Sequence, residues 1–389
     1  MDDEILGLVE KHESYRSECV NLVASENVVS PNVRKALGSD LAGRYVARPK
    51  FYGGTKFMEE IWNITEKRAS KVFRSRFASV NPVGGHLALM ATLTGLCQRG
   101  SLVMSPPPTY GGYPGLAQNR SAASILGLKV VHLPFDETNF NIDVETSSQI
   151  IKRDKPDLIV LGASVLLFPH PVKELAELVH EYDGKLVFDG SHVMGLIAGG
   201  KFQDPLNEGA DVLLGSTHKS FFGPQGGLIL SNNEELMVKI DNNFVHITQD
   251  NPHPNRIAAL GVALGEAERY ASDYAAQIIR NSQTMASLLA QKGFPVLANA
   301  RGDHTFSHQV FLKYNAEKGV NFRDKMEESN IIADSEVRLG TSEITRRGYV
   351  ETDVEQVAKA IELSMKGSID ESKAFVRQLV STHRGLAFF

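Results

Sequence analysis

A single lysine, Lys219, lies in a run of mostly small and polar residues, GSTHKSFFGPQGG (215–227). The apolar run DVLLG (211–215) before it predicts a buried strand, so Lys219 is expected near the carboxyl edge of a sheet. A lysine amine becomes a useful nucleophile when burial or a neighbouring positive charge lowers its pKa. The small neighbours leave room for a planar partner. The alternative is a solvated loop lysine, the commoner situation for an arbitrary lysine, so other segments must decide.

A carboxylate closes a second apolar run, KLVFD (185–189), and Ser191 and His192 follow directly. Asp189 at a strand end could cap the next helix. It could equally hold a proton on a heteroaromatic nitrogen, as the ring of pyridoxal 5′-phosphate requires when it acts as an electron sink. The residues alone leave both interpretations open.

Two further segments could bind anions. Gly84-Gly85-His86 opens a helix candidate, and the backbone N–H groups at a helix N-terminus bind phosphate where glycines let it approach. Arg338, between a strand-like segment and a Gly-Thr turn, could hold a substrate carboxylate with its planar fork of donors. The alternatives are an ordinary glycine turn and a surface ion pair.

An alternation of short apolar runs and amphipathic stretches must position these residues. The strand candidates are 101–104, 129–135, 157–162, 185–189, 211–215 and 226–230, and helix candidates at 86–97, 144–153 and 172–182 lie among them. This pattern predicts an α/β fold with a mostly parallel central sheet covered on both faces. Ligands of such sheets bind beyond the carboxyl ends of the strands.

The chain is expected to contain an N-terminal arm (1–25), a large α/β domain (26–270) and a smaller C-terminal α+β domain (271–389). A long linker helix is predicted at about 255–289. The small domain has a strand candidate, HQVFLKY (308–314), and a closing helix candidate, VEQVAKAIELSMK (354–366).

Composition excludes several classes of protein. The net charge of −5 over 389 residues gives no electrostatic reason to expect nucleic acid. No apolar run approaches the roughly 20 residues that span a bilayer, and the acidic N-terminal segment lacks the apolar core of a signal peptide. Cys19 and Cys97 belong to no metal-ligand pattern. We therefore expect a cytoplasmic protein without a metal site, a membrane segment or a nucleic-acid partner.

In order along the chain, five segments resemble serine hydroxymethyltransferase, a fold-type I pyridoxal-phosphate enzyme of the aspartate aminotransferase-like class. They are NLVASENVVSPNVRKALGSDLAGRY, FYGGTKFMEEI, FDGSHVMGLIAGG, GSTHKSFFGPQGGLIL and RLGTSEITRRG. The resemblance covers nearly the whole chain, and it implies that fold together with pyridoxal 5′-phosphate as cofactor.

The resemblance also implies roles for single residues. Lys219 would bind the cofactor as a Schiff base, Asp189 would pair with the pyridine nitrogen, and His192 and Ser164 would lie near the ring oxygen. The substrate carboxylate would be held by Ser25 and Arg338. The remaining expected cofactor contacts are Gly84, Gly85, His86, Tyr113, Ser216 and His218.

Tyr45 and Tyr52 match two active-site tyrosines that the family supplies across a subunit interface. The resemblance gives Tyr52 a catalytic role and places Tyr45 at the substrate. It therefore implies a homodimer with active sites at its interface and a small amino acid as substrate.

The sequence departs from the family where the one-carbon carrier acts. Ala47 stands in place of a glutamate that serves proton transfer and contacts the folate, and alanine cannot transfer a proton. Tyr113 replaces a stacking histidine but keeps an aromatic face. Gly84-Gly85-His86 replaces a Ser-Gly-Ser phosphate motif, and ITQDNPHPN (247–255) replaces a glycine-rich segment that reaches the partner's phosphate. Whether tetrahydrofolate takes part is left open.

The sequence therefore predicts a pyridoxal-phosphate enzyme that breaks or forms the Cα–Cβ bond of a β-hydroxy amino acid, with serine and glycine interconversion as the first choice. The alternative is a folate-independent aldolase or transaldolase acting on threonine-type substrates. A transaminase or β-eliminating lyase uses the same cofactor chemistry and stays open. An interpretation from another class is a catalytically silent relative that binds a partner.

Overall fold

The computed structural model describes residues 3–242, 244 and 247–388. The chain divides into two compact units, one formed by Asn27–Ala276 and the other by Met1–Glu26 with Gln277–Phe389. In the part of the chain that is described, no helix is both long and apolar enough to cross a membrane.

The α-helices are α1 (Glu4–Ser17), α2 (Pro31–Leu37), α3 (Met58–Phe73), α4 (Gly85–Leu96), α5 (Ala122–Ile125), α6 (Val144–Asp154), α7 (Val172–His180), α8 (Met194–Ala198), α9 (Glu234–Asp241), α10 (Pro254–Gln291), α11 (Ala316–Glu328), α12 (Ser342–Arg346), α13 (Glu351–Met365) and α14 (Ile369–Thr382). The strands are β1 (Val20–Asn21), β2 (Phe77–Ser79), β3 (Leu102–Ser105), β4 (Lys129–His132), β5 (Phe135–Asp136), β6 (Asn141–Ile142), β7 (Leu158–Leu161), β8 (Lys185–Asp189), β9 (Val212–Ser216), β10 (Gly227–Ser231), β11 (Gln309–Phe311), β12 (Ile331–Ile332) and β13 (Arg338–Gly340).

The central sheet lies in the unit Asn27–Ala276 and has the strand order β2-β10-β9-β8-β7-β3-β4. Strands β9, β8, β7, β3 and β4 pair in parallel, whereas β10 pairs antiparallel with both β9 and β2. The apolar side chains of β7, β8 and β9 are buried along the strands, as a sheet covered on both faces requires. The predicted α/β architecture with a mostly parallel sheet is confirmed.

The helices beside the sheet follow from apolar spacing and from their caps. Helix α7 buries residues three and four positions apart on one face, namely Val172, Leu175, Ala176 and Val179. Helix α6 begins after Asp143, whose side chain accepts a hydrogen bond from the N–H of Thr146. Helix α4 is apolar on most sides, and its buried residues join those of β7 to β10 in one core cluster. These helices fix the sheet edge at which β7, β8 and β9 end.

The other unit has a core of its own, built from the C-terminal helices and two short strand pairings. Strands β11 and β13 pair antiparallel, and β1 pairs in parallel with β12. Its largest buried members include Phe322, Met326, Leu339 and Tyr349. Val23 forms an isolated bridge to Leu339, so the N-terminal segment is part of this core.

Most of the predicted strands and helices lie within one or two residues of the observed bounds, but one predicted strand was wrong. The run KVVHLPF (129–135) forms two strands, because β4 ends at His132 and Phe135 begins β5, which pairs with β6. Pro134 lies between them, and a proline cannot donate the hydrogen bond that a continuous central strand needs. Strand β2, which completes the sheet beside β10, was not predicted.

Candidate active site

A cavity opens where β7, β8 and β9 end, at the carboxyl edge of the parallel strands. It is lined by Gly85, His86, Tyr113, Ala163, Ser164, Asp189, Ser191, His192, Ser216 and Lys219. Side chains from segments far apart in sequence meet here because β7, β8 and β9 are neighbours in the sheet. Most of the predicted cofactor contacts therefore lie in one place.

Lys219 and His192 face each other in this cavity. The Lys219 Nζ and His192 Nε2 atoms are 3.2 Å apart, within reach of a direct proton exchange. The His192 side chain is 5% exposed. The neighbouring His218 has its pKa lowered to about 4, chiefly by burial and further by the charge of Lys219. His218 is therefore neutral near pH 7, and it is not among the residues that line the cavity.

Asp189 ends β8 with its carboxylate directed at the cavity. Its Oδ1 atom accepts a hydrogen bond from the N–H of Ser191 at 2.9 Å. Burial raises the pKa of the Asp189 carboxyl, while that hydrogen bond and the charge of Lys219 act in the opposite direction. A cationic group in the cavity would stabilise the ionised carboxylate, which is the property required of a partner for a protonated ring nitrogen.

The N-terminus of α4 forms another wall of the cavity. Gly84 is the N-cap residue, and no side chain of its own satisfies the first N–H groups of the helix. A Cβ atom on Gly85 would collide with the Ser216 Oγ atom and lie 3.3 Å from the Ser191 Oγ atom, whereas one on Gly84 would meet open space. Because the Gly85 position admits no side chain, an anion can approach the helix N-terminus closely.

Ser191 connects the ends of β8 and β9. Besides donating its N–H to Asp189, it accepts a hydrogen bond from the N–H of Ser216 on its Oγ atom at 3.0 Å. Neither Ser191 nor Ala163 was predicted as a site residue. The signal for Ser191 was its place between Asp189 and His192 in the run FDGSH.

His86 and Tyr113 form a pair at the mouth of the cavity. The His86 Nδ1 atom and the Tyr113 hydroxyl are 2.9 Å apart, and the ring centroids are 6.0 Å apart in an edge-to-face arrangement. Burial, and next the negative charge of Asp189, raise the pKa of Tyr113. The aromatic side chain at this position is therefore a neutral phenol beside the cavity.

The loop after β7 is fixed by hydrogen bonds to His170 and to Gly111. Gly162 adopts φ +97°, and a Cβ atom there would collide with the Asp189 carbonyl oxygen. Its N–H donates to the His170 Nδ1 atom at 3.2 Å, and burial lowers the pKa of His170 to about 4. Ser164 donates its N–H to the Gly111 carbonyl at 2.6 Å. A neutral buried histidine thus helps to fix the loop that carries Ser164.

Tyr45 and Tyr52 do not line the cavity. Both belong to the segment 44–57, and their ring centroids are 5.4 Å apart. They are 51% and 38% exposed, and Ala47 between them is exposed as well. Arg48 attaches this segment to α3 through an ion pair with Glu66 at 2.8 Å and by lying 4.3 Å from the centroid of the Trp62 ring.

Ser25 and Arg338 belong to the second unit, where their backbone segments are neighbours. Val23 bridges to Leu339, and the N–H of Gly340 donates to the Leu22 carbonyl at 2.7 Å. The Arg338 guanidinium contacts Asp334 at 3.1 Å and Glu336 at 3.2 Å. The predicted carboxylate-binding pair is thus adjacent in the fold of that unit.

Comparisons with known proteins agree on one family. A family model described as "Serine hydroxymethyltransferase" matches residues 1–361. A serine hydroxymethyltransferase from Methanobrevibacter smithii is 37% identical, covering 97% of this chain and 94% of that protein. One from Methanothermobacter marburgensis is 40% identical over 92% of this chain and 89% of its own length.

A solved structure has nearly the same backbone. It is an L-threonine transaldolase from Pseudomonas fluorescens, crystallised in its internal aldimine state. The TM-score is 0.92 at 26% sequence identity, with 99% of this chain and 92% of that chain covered. The chain therefore belongs to the serine hydroxymethyltransferase family and has the fold of a fold-type I pyridoxal-phosphate-dependent enzyme.

Proposed function

We propose that the protein breaks and forms the Cα–Cβ bond of a small β-hydroxy amino acid with the help of pyridoxal 5′-phosphate, and that its primary reaction is the interconversion of serine and glycine. The observation that carries the proposal is the cavity in which Lys219, His192 and Asp189 converge at the ends of neighbouring strands. Membership of the serine hydroxymethyltransferase family supports the choice of substrate class.

The residues of the cavity fit a phosphorylated pyridine aldehyde. A side chain is excluded at Gly85 and the α4 N–H groups are uncapped, which suits a phosphate. Asp189 suits a protonated ring nitrogen, and the Lys219 amine suits an aldehyde carbon. When bound, the cofactor supplies the electron sink that accepts the electron pair of the broken Cα–Cβ bond.

The side chains of this protein would divide the remaining work. Lys219 would hold the cofactor until the substrate amine displaces it, and His192, 3.2 Å from its Nζ atom, would receive or return the proton of that amine. Asp189 would keep the ring nitrogen protonated. Ser164 would hold the ring oxygen, and Tyr113 would cover one ring face.

Substrate binding and assembly belong to the same proposal. Arg338 and Ser25 would fix the substrate carboxylate, by analogy with the family. Tyr45 and Tyr52 would act in the partner's active site, so the working form would be a homodimer; their exposure on one segment supports this assignment. We further propose that the chain divides into domains near residues 26 and 270. We also propose that the protein is located in the cytoplasm.

A folate-independent aldolase or transaldolase is the second candidate. Ala47 occupies the position where the family has a proton-transferring glutamate, and it is exposed beside Tyr45. The structural similarity to an L-threonine transaldolase points the same way. With alanine at this position, any step that transfers a proton to or from the one-carbon carrier would need another group.

The deciding experiment measures glycine formation by the cofactor-loaded protein from L-serine, with and without tetrahydrofolate, and from L-threonine. We expect serine cleavage that tetrahydrofolate accelerates. A rate of cleavage that does not depend on tetrahydrofolate and is higher with threonine than with serine would favour the second candidate instead. Lys219→Ala serves as the control and should lose both the yellow colour and the activity. A wild-type protein that never becomes yellow would refute the cofactor assignment and support a binding protein instead.

A further inference from the structure

The segment 247–256, which leads into α10, contacts the residues that precede the N-terminus of α4. In the family this region is glycine-rich and reaches the phosphate of the partner subunit. Here it has the sequence ITQDNPHPNR, and two of its side chains turn to residues 80–83 of the same chain. Residues 80–83 directly precede Gly84, the N-cap residue of α4.

Gln249 bridges two peptide groups of that segment. Its Nε2 atom donates to the Asn81 carbonyl at 2.8 Å, and its Oε1 atom accepts the N–H of Val83 at 3.0 Å. A primary amide used in this way satisfies one donor and one acceptor of the backbone beyond the end of β2. The orientation of the chain just before Gly84 therefore depends on Gln249.

Arg256 holds the same segment one residue earlier. Its Nη2 atom donates to the carbonyls of Val80 at 2.6 Å, Asn81 at 3.1 Å and Pro252 at 2.9 Å. The residue is 4% exposed. In the described residues 3–242, 244 and 247–388 no carboxylate pairs with this guanidinium, and burial is the cause that lowers its pKa to about 9. At neutral pH it therefore remains a buried cation surrounded by carbonyl groups.

The Nη1 atom of Arg256 lies toward the loop between β9 and β10, which carries Lys219. Within the described chain the Arg256 Nη1 atom has no hydrogen-bond partner, and a Cβ atom on Gly226 would lie 3.0 Å from it. The Gly226 carbonyl accepts the N–H of Thr217 at 3.1 Å, and the N–H of Gly227 donates to the Pro82 carbonyl at 2.9 Å. Arg256 is thus situated between the segment before α4 and the loop that carries Lys219.

We propose that Gln249 and Arg256 are positioning residues for the phosphate end of the cofactor, acting within one chain. This inference rests on the proposed function. Both side chains fix residues 80–83, so that the N–H groups at the start of α4 face the phosphate. The buried guanidinium, which pairs with no carboxylate among the described residues, also adds a positive charge that a bound phosphate dianion offsets.

The test compares two ligands that differ only in the phosphate. Dissociation constants for pyridoxal 5′-phosphate and for pyridoxal are measured by spectrophotometric titration of the apoprotein. The dissociation constant of pyridoxal divided by that of pyridoxal 5′-phosphate reports the contribution of the phosphate. We expect Arg256→Met to reduce that ratio by about tenfold or more, which corresponds to roughly 1.4 kcal/mol. Arg256→Lys, which keeps the charge, should reduce it less. Gln249→Ala should reduce it severalfold while pyridoxal binds as before.

Arg68→Met is the matched control. The Arg68 Nη1 atom also donates to a backbone carbonyl, that of Gly261, at 2.7 Å, but on the side of α10 that packs on α3. The ratio of dissociation constants for Arg68→Met should equal that of the wild type. An equal loss of both ligands in Arg256→Met and Gln249→Ala, or no loss in either, overturns the inference. If Arg256→Met does not fold, Gln249→Ala and Arg256→Lys decide in the same way. A wild-type protein that fails to bind pyridoxal 5′-phosphate would instead refute the proposed function.

Discussion

Replacing Gly85 by alanine adds one methyl group to the wall of the cavity where the phosphate is expected. The new Cβ atom would collide with the Ser216 Oγ atom, and it would lie 3.1 Å from the Ser216 backbone nitrogen and 3.3 Å from the Ser191 Oγ atom. A methyl group forced into a packed site costs about 1–3 kcal/mol. The Ser216 Oγ atom can turn about its Cα–Cβ bond, whereas the Ser216 backbone nitrogen cannot move without disturbing the hydrogen bond that it donates to the Ser191 Oγ atom.

We expect most of this cost to appear in the free energy of unfolding of the apoprotein, because the new methyl group meets atoms of Ser216 and Ser191, which are present with and without the cofactor. Alanine gains up to about 1 kcal/mol over glycine inside a helix, which offsets part of the loss of stability in the apoprotein. The net loss of stability is therefore about 1–2 kcal/mol, and the dissociation constant changes only where the side chains around Gly85 move. Turning the Ser216 Oγ atom into the cavity would relieve the collision, and we expect binding of pyridoxal 5′-phosphate to weaken about tenfold for each 1.4 kcal/mol needed to displace that atom again.

The neighbouring glycine provides the control. Gly84 has the extended backbone angles φ −167° and ψ 159°, and a Cβ atom there meets nothing within 4 Å. Gly84→Ala should bind the cofactor like the wild type. Titration of both apoproteins with pyridoxal 5′-phosphate, with denaturant unfolding in parallel, separates affinity from stability. The double variant Gly85→Ala/Ser216→Ala should regain part of the lost stability and affinity. A double variant no more stable than Gly85→Ala, together with equal affinities of Gly85→Ala and Gly84→Ala, would refute the steric explanation.

Three further outcomes are expected. Burial raises the pKa of Asp189 above 3.8, so the cost of burying its ionised form builds up as the pH rises through that raised pKa and is complete above it. In denaturant titrations, Asp189→Asn should therefore stabilise the apoprotein by about 1 kcal/mol at pH 8 and by less towards pH 4. His218 has a pKa of about 4 when folded, so it contributes stability above pH 6.5 that is lost towards pH 4; His218→Gln should flatten that loss in the same titrations. Arg48→Met should lower the free energy of unfolding by about 1–2 kcal/mol and speed proteolysis within 44–57, whereas Arg44→Met, which loses an exposed ion pair, should change neither.

The sequence predicted the strands that carry the site because each is a short apolar run that ends in a polar residue or a glycine. Asp189 and Lys219 could be placed at strand ends in this way, and parallel pairing then brings such ends together. Strand β2 was missed because it has only three residues and its partner β10 is far away in sequence. Pairing over such distances leaves no periodic signal within either strand.

Contacts made by side chains across the fold could not be predicted in the same manner. Gln249 and Arg256 touch backbone atoms about 170 residues earlier in the chain, and nothing in either segment indicates the other. Ser191 was noticed only as a neighbour of Asp189, because a serine is compatible with almost any loop. Motifs locate reactive groups, whereas the hydrogen bonds that orient those groups depend on the complete fold.

The order of strands in the central sheet bears on when the protein can first bind its cofactor. The lining residues after β7, β8 and β9 meet only once these parallel strands have paired, and each pairing must wait for an intervening helical crossover to close. A partly folded chain thus has no binding site to offer. The cofactor would then stabilise the native state by mass action, through its concentration relative to the dissociation constant, and would not guide the early steps of folding.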